Sequence, residues 1–258
     1  MRYHKILEVK NAHIHFGGIV AVNKASFSIK KGELFGLIGP NGAGKTTSFN
    51  LITGVYKPQS GKIIYKGKVI NGLAPNEIAK IGIARTFQNI RLFPHLTALD
   101  NVTVGAFLRH KTSLLSALAY APSSIQETEE MREKAMYWLE VLGLQDLAHQ
   151  VSADLPYGKQ RRLEIARALA TEPELLLLDE PAAGLNPQES EDLMNTVRRL
   201  RDEFQKTVLL IEHDMKFVMN LCEHIVVLDH GEEIAYGTPD DIRNNPKVIE
   251  AYLGQSDH

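Results

Sequence analysis

The chain has 258 residues and one cysteine, Cys222, so no internal disulfide can staple it and a reducing compartment is expected. It has no apolar run near the roughly 18 residues that a membrane span needs. The opening MRYHKILEVK lacks the apolar core of a secretory leader. An excess of one charge sign is also missing. The 29 Lys and Arg stand against 31 Asp and Glu, a net charge of −2, so no broad basic field invites nucleic acid. There is no internal repeat and no low-complexity tract. These absences point away from a disulfide scaffold, an integral membrane protein, a charge-driven nucleic-acid binder and a solenoid. The expectation is a soluble cytoplasmic chain that relies on other subunits for any work at a membrane. Its hydrophobic content of 44% suffices for one large domain, or a core domain with a smaller lobe.

The strongest positive signal is GPNGAGKTT: Gly39, Pro40, Asn41, Gly42, Ala43, Gly44, Lys45, Thr46 and Thr47. Its glycines permit positive φ and let successive N–H groups face one concavity that suits a phosphate chain. Lys45 offers a point charge for β- and γ-phosphates, and the Thr46 hydroxyl suits Mg²⁺. The apolar run Leu34–Ile38 before it reads as a strand, and Lys45–Leu51 reads as a helix. Strand, glycine loop and helix N-terminus is the context that gives this motif its chemistry. An accidental match in such a chain is roughly a one-in-a-hundred event.

Ile6–Val9, Ala12–Phe16, Ala25–Ile29 and Ile63–Tyr65 alternate as strands of a small antiparallel layer. Ile81–Phe87 reads as a further strand ending at Gln88. From about 89 to 155 the pattern is helical. Glu127–Leu142 carries apolar residues at Met131, Ala135, Trp138, Leu139 and Leu142, and Glu130 and Lys134 sit at the spacing of an i,i+4 pair. Leu114–Tyr120 suits either core packing or a membrane subunit. Leu175–Leu178 and Thr207–Ile211 are continuous apolar runs, as buried parallel strands require. Ile225–Leu228 and Glu233–Tyr236 flank a hairpin turn, and Asp240–Leu253 reads as helical.

Asp179 and Glu180 close a buried strand, where open α/β sheets bind ligands. Asp179 is expected to hold Mg²⁺ through water, and Glu180 to polarise the water that attacks a γ-phosphate. His213, in Ile-Glu-His-Asp after the next apolar run, is a candidate to sense that phosphate. No His or Cys at zinc-ligand spacing surrounds it. The Gln88 amide is a candidate for a Mg²⁺-bound water. Phe16 fits two roles, a core aromatic or a platform for a purine ring. Leu155–Leu169 enters a helix through a glycine-containing loop, a second N-terminal anion site. With one phosphate loop per chain, that second site is expected to serve a nucleotide held by another subunit.

In order along the chain, the phosphate loop, Gln88, Leu155–Leu169, Asp179-Glu180, Ala183–Asn186 and His213 resemble the ATP-binding subunits of ABC transporters. The resemblance covers nearly the whole chain. It implies an α/β fold: a RecA-like P-loop core with an antiparallel β subdomain and an inserted α-helical subdomain. One ABC domain would span 1–258, with 1–88 and 160–258 as core and 89–159 as the helical subdomain carrying the signature loop. Ile83–Val102, Leu155–Leu169, Leu178–Pro187, Leu209–Met215 and Gly237–Gly254 are similar to the branch that serves branched-chain amino-acid importers. Urea-type and short-amide importers share much of this text.

That resemblance implies ATP hydrolysis with ATP and Mg²⁺ as ligands. Thr46, Gln88 and Asp179 would serve the metal, and Glu180, His213 and Gln88 the catalysis. Tyr157, Gly158 and Lys159 would face a partner's ATP. The implied partners are a homologous second ATP-binding subunit, as heterodimer or homodimer, two transmembrane permease subunits and a periplasmic or extracellular solute-binding protein. The implied place is the cytoplasmic face of the inner or plasma membrane, held peripherally. Leu92, Phe93 and Leu96 suit either permease docking or a core.

The chain departs from the family signature Leu-Ser-Gly-Gly-Gln, with Pro156, Tyr157 and Lys159 at the altered positions, and Asn186 stands where Asp is usual. Two unequal ATP sites are the expectation. Non-transport ABC ATPases usually carry paired ATPase units, coiled-coil insertions or zinc-binding cysteines, and none is read here. A GTPase would need Asn-Lys-x-Asp, but Asn23-Lys24-Ala25-Ser26 has no Asp and precedes the loop.

Overall fold

The computed structural model describes residues 4–107 and 122–253. β1 (Lys5–Phe16) and β2 (Ile19–Lys30) form a long hairpin turning at Gly17-Gly18. β4 (Ser60–Tyr65) and β5 (Lys68–Val69) complete a four-stranded antiparallel sheet in the order β2-β1-β4-β5. The second sheet has six strands in the order β10-β9-β3-β8-β7-β6: β3 (Leu34–Ile38), β6 (Ile83–Arg85), β7 (Leu175–Asp179), β8 (Thr207–Ile211), β9 (His224–Asp229) and β10 (Glu232–Gly237). Its pairs are parallel except for the closing β9–β10 hairpin.

Every residue of β3, β7 and β8 is buried. The two-residue period of a strand sends alternate side chains into different cores. Phe35, Leu37, Leu175, Leu177, Leu209 and Ile211 join the antiparallel sheet in one apolar cluster. Leu34, Ile38, Leu176, Leu178, Val208 and Leu210 face the helices on the other side. A continuous apolar run is therefore needed because both faces are covered.

Between β6 and β7 the described chain is helical, with helices at Ala98–Ala106, Pro122–Val141 and Tyr157–Leu169. Met131, Ala135, Trp138, Leu139 and Leu142 are all buried, as their spacing predicts. Lys134 also reaches beyond its own helix and pairs with Glu172 at 2.9 Å. Tertiary packing brings the turn after helix 157–169 within reach of this face. The segment Leu114–Tyr120 lies outside the described residues.

The strand expected over Ile81–Phe87 is shorter. Ile81 ends the helix Pro75–Lys80, and Gly82 turns the chain at φ 104°. At the other end Thr86 N still donates to Leu177 O, whereas Phe87 N turns to the Glu164 carboxylate. Gln88 thus sits in the loop beyond β6. The C-terminal helical piece is two helices, Pro239–Arg243 and Pro246–Leu253, because Pro246 cannot continue the first.

Cys222 is 6% exposed, packed beneath Gly36, where an added Cβ would lie 3.1 Å from its Sγ. Burial pushes the thiol pKa up, helped by Glu223, Glu212 and Glu33. Thiolate is the reactive form. The native chain is therefore expected to resist a thiol-reactive dye that labels the denatured chain stoichiometrically. Labelling at comparable rates in both states would contradict this burial.

Candidate nucleotide site

The parallel register sets the site. Leu37 and Asp179 both pair with Ile211, and Ile38 pairs with Val227, so β3, β7 and β8 end at one edge of the sheet. The phosphate loop, Asp179-Glu180 and His213 leave the sheet from that edge together.

The loop's glycines hold the conformations expected of them. Gly39 has φ 150°, and a Cβ there would lie 2.1 Å from Leu228 O. Gly44 has φ 95°, and its Cβ would meet Ala21 O at 2.3 Å. A side chain at either position would break the contact between loop and neighbouring backbone. The helix Lys45–Ile52 follows directly and has no side-chain cap, so its first N–H groups face the loop. Lys45 is 6% exposed, and its Nζ donates to Gly39 O at 2.6 Å and Pro40 O at 2.8 Å. Burial pulls the pKa of its ammonium down, while the charges of Glu180 and Asp179 oppose the shift. Asn41, Gly42 and Thr46 are exposed, Thr47 is half-buried and Ala43 is buried.

Glu180 is the hub of the second half. It sits at φ 48°, a left-handed conformation that costs a non-glycine residue about 1 kcal/mol or more. Its Oε2 accepts from Gln88 Nε2 at 2.8 Å, and its Oε1 lies 2.7 Å from His213 Nε2. The three candidates chosen for catalysis are thus in direct contact. Asp179 is buried and ion-paired with Arg85, Nη2 to Oδ2 at 2.7 Å. Arg85 also donates to Asn50 Oδ1 at 2.7 Å.

Phe16 is 44% exposed and meets Tyr56 edge-on, with ring centroids 5.0 Å apart. It is therefore not a core aromatic. The hairpin that carries it adjoins the loop at Ala21, where Asn23 N bonds Gly231 O and Gly231 N bonds Ala43 O. Leu155–Leu169 does enter a helix, at Tyr157, with Pro156 as its cap. Tyr157 is exposed and Lys159 half-buried, but Gly158 is buried against Glu189 and Leu185. Asn186 caps the helix Pro187–Asp202: its side chain accepts from Glu189 N at 2.9 Å, and Glu189 bonds back to Asn186 N at 3.0 Å. Asn and Asp cap helices comparably, so this departure leaves the cap intact.

Several residues escaped the sequence reading. Arg85 anchors Asp179, and Tyr56 flanks Phe16. Glu212 is buried and accepts from Ala182 N at 2.6 Å and His213 N at 3.1 Å, fixing the turns that carry Glu180 and His213. Burial pushes its carboxyl up, opposed by the N–H groups of Ala182, His213 and Asp214. Arg161 and Glu164 are both buried within helix 157–169. Only the charged character of these positions inside apolar surroundings hinted at them.

A P-loop ATPase, with its acidic strand end and histidine turned toward one phosphate loop, is the class that this fold and geometry define. Residues 22–183 match the family model described as ABC transporter, and residues 232–258 match the model described as branched-chain amino acid ATP-binding cassette transporter. The chain is 48% identical over 251 residues to the high-affinity branched-chain amino acid transport ATP-binding protein BraF of Pseudomonas aeruginosa, covering 97% of this chain and 98% of that protein. It is 47% identical over 251 residues to the corresponding protein LivG of Escherichia coli K12, with the same coverage. Among solved structures, the ADP conformation of an ATP-binding cassette of an ABC transporter matches with a TM-score of 0.85 at 36% identity, covering 97% of this chain and 99% of that one. The chain belongs to the ABC transporter family as an ATP-binding cassette. Its activity is ATP hydrolysis coupled to transport, and it acts with membrane permease partners. No helix among the described residues is long and apolar enough to cross a membrane.

Proposed function

We propose that this chain is the ATP-hydrolysing motor of an importer for branched-chain amino acids. The observation that carries the reading is the full-length identity of 47–48% to ATP-binding proteins named for high-affinity transport of those solutes. The match at 232–258 supports it independently.

In this reading ATP stacks its purine near Phe16 and lays its phosphates along Gly39–Thr47. Lys45 exchanges its carbonyl contacts for phosphate oxygens. The donor set of Thr46, Gln88 and Asp179 consists of hard oxygens, which suits Mg²⁺, an ion that neutralises phosphate charge when bound. Glu180 polarises the attacking water, and His213 and Gln88 orient Glu180. The γ-phosphate reaches from this chain's loop to the signature helix of a second ATP-binding subunit, where Tyr157, Gly158 and Lys159 serve the reciprocal contact. ATP therefore favours the closed pair and ADP does not, and this difference in affinity drives the cycle.

Segment 89–159 acts as the helical subdomain on the 1–88 and 160–258 core. An apolar groove of about 600 Å³ lies between them, with Val55, Phe93, Val104 and Phe107 in its wall. Phe93 and Phe107 are exposed, which favours a permease helix as the occupant, while Leu92 and Leu96 are half-buried and serve packing. The assembly sits on the cytoplasmic face of the membrane with two permease subunits and a solute-binding protein outside.

The test is uptake of labelled leucine, isoleucine and valine by cells whose chromosomal copy carries Lys45→Ala, with urea as control solute. Loss of amino-acid uptake with urea uptake intact is expected. Unchanged amino-acid uptake with loss of urea uptake would assign the motor to another solute.

A further inference from the structure

The Arg-Arg-Leu-Glu run inside the signature helix has no part in the scheme above, yet it holds the most buried charge among the described residues. Arg161 is 0% exposed and Glu164 1% exposed. Arg161 Nη1 donates to Phe87 O at 2.7 Å and to Glu164 Oε2 at 3.1 Å. Its Nη2 donates to Gln88 O at 2.8 Å and to Tyr157 Oη at 3.0 Å. Glu164 Oε1 accepts from Arg91 N at 3.1 Å and from Phe87 N at 3.4 Å. Two side chains one turn apart on the helix thus strap the backbone of residues 87–91, more than 70 positions away in sequence.

Two further contacts extend the strap. Tyr157, the first residue of the helix, lies against Gly184, where an added Cβ would stand 3.0 Å from its ring. Gln88, whose carbonyl Arg161 holds, donates from its side chain to Glu180. A buried ion pair is weak evidence for stability, since apolar residues of similar volume often serve as well. A planar fork that spans two consecutive carbonyls and a hydroxyl fixes relative position in a way that packing alone does not.

We propose that Arg161 and Glu164 are positioning residues that lock the start of the signature helix to the Gln88 segment, so that the helix moves only together with the Gln88 contact to Glu180. The inference rests on the reading that this helix meets a nucleotide held by a partner subunit. Occupation of the partner's site then alters the hold on Glu180 in this chain's own site, which is a mechanical link between two ATP sites. Neither residue touches substrate, so each acts through Gln88 and Tyr157.

The experiment compares the parent with Arg161→Lys and with the double variant Arg161→Met/Glu164→Met, each as full-length chain assembled with its own permease and partner ATPase. Lysine keeps the charge and loses the fork. The double variant removes both members of the buried pair together, so neither Arg161 nor Glu164 is stranded without the other, and the thermal midpoint reads the cost to Arg167, which also faces Glu164. Four quantities are read: amide hydrogen exchange across residues 86–91, thermal midpoint, ATP affinity, and the kcat and Hill slope of ATP hydrolysis. Both variants are expected to fold and bind ATP within about threefold of the parent, to lose exchange protection at 86–91, and to lose about tenfold in kcat with a Hill slope falling to about 1. Lost protection with kcat and Hill slope unchanged would overturn the proposal. A smaller active fraction at unchanged Hill slope would also overturn it, because that marks a purely structural role. A parent assembly whose own Hill slope is already about 1 would sink the shared-site reading and the link with it, an outcome distinct from failure of the variants alone.

Discussion

Lys45→Ala is expected to weaken ATP binding by about 100-fold and to abolish measurable turnover. A charge-assisted contact to phosphate contributes up to about 3 kcal/mol, and each 1.4 kcal/mol is about tenfold in affinity. The geometry adds a second loss in the same direction. Lys45 Nζ holds the carbonyls of Gly39 and Pro40, so alanine removes both the phosphate's counter-charge and the tie that keeps the loop concave. Lys45 is buried here, and the charges of Glu180 and Asp179 support its ammonium against desolvation. An arriving phosphate strengthens that support, because a nearby negative charge favours the charged form. Alanine instead removes the lysine charge from beside Glu180 and Asp179, while Asp179 keeps its Arg85 partner. Titration with a fluorescent ATP analogue, with a thermal melt as control for folding, checks the affinity. Binding within about threefold of the parent, or near-normal ATPase, would remove the loop from the centre of the mechanism.

Much of the fold was legible because its signals are local. Leu175–Leu178 and Thr207–Ile211 read as buried strands from composition alone, and they are buried at every residue. Gly39–Thr47 declared its own conformation through glycine spacing. The meeting of Glu180 and His213 was legible by a different route: each follows an apolar run, and parallel strands align such ends. What stayed hidden is non-local. Nothing around Arg85 announces Asp179 as its partner, 94 positions away. Arg161 and Glu164 lie on a helix that stood out for the loop at its N-terminus, and nothing in the run Leu155–Leu169 shows that both are buried. The early end of β6 had the same cause, since a carboxylate from that helix takes the Phe87 N–H that a longer strand would use. Nor does the helix that carries Lys134 announce Glu172 as a partner, 38 positions on. Each miss comes from tertiary contact overriding a local rule.

Glu180→Gln is expected to lower kcat by about 100-fold to 10,000-fold, the range for losing a general base, while ATP affinity stays within about threefold. Glutamine preserves the shape of the side chain and one acceptor oxygen. It carries no charge to polarise water, and its amide turns a donor toward either Gln88 Nε2 or His213 Nε2, both of which now contact carboxylate oxygens. ATP should therefore bind, close the pair and persist, so the variant accumulates the ATP-bound dimer, measurable by size-exclusion chromatography with retained nucleotide. Turnover within about threefold of the parent would strip Glu180 of its role. The same variant addresses the unequal sites. On the proposed scheme this chain's Glu180 works opposite the partner's signature, whereas the partner's carboxylate works opposite Pro156, Tyr157 and Lys159. The serine hydroxyl of the usual signature is missing there, so the second site starts with weaker transition-state contacts to the γ-phosphate. Removing Glu180 should consequently cost the assembled transporter more turnover than the matching substitution in the partner. Equal losses would mean that the helix N–H groups and the Lys159 charge make up for the missing hydroxyl, and that the two sites fire alike.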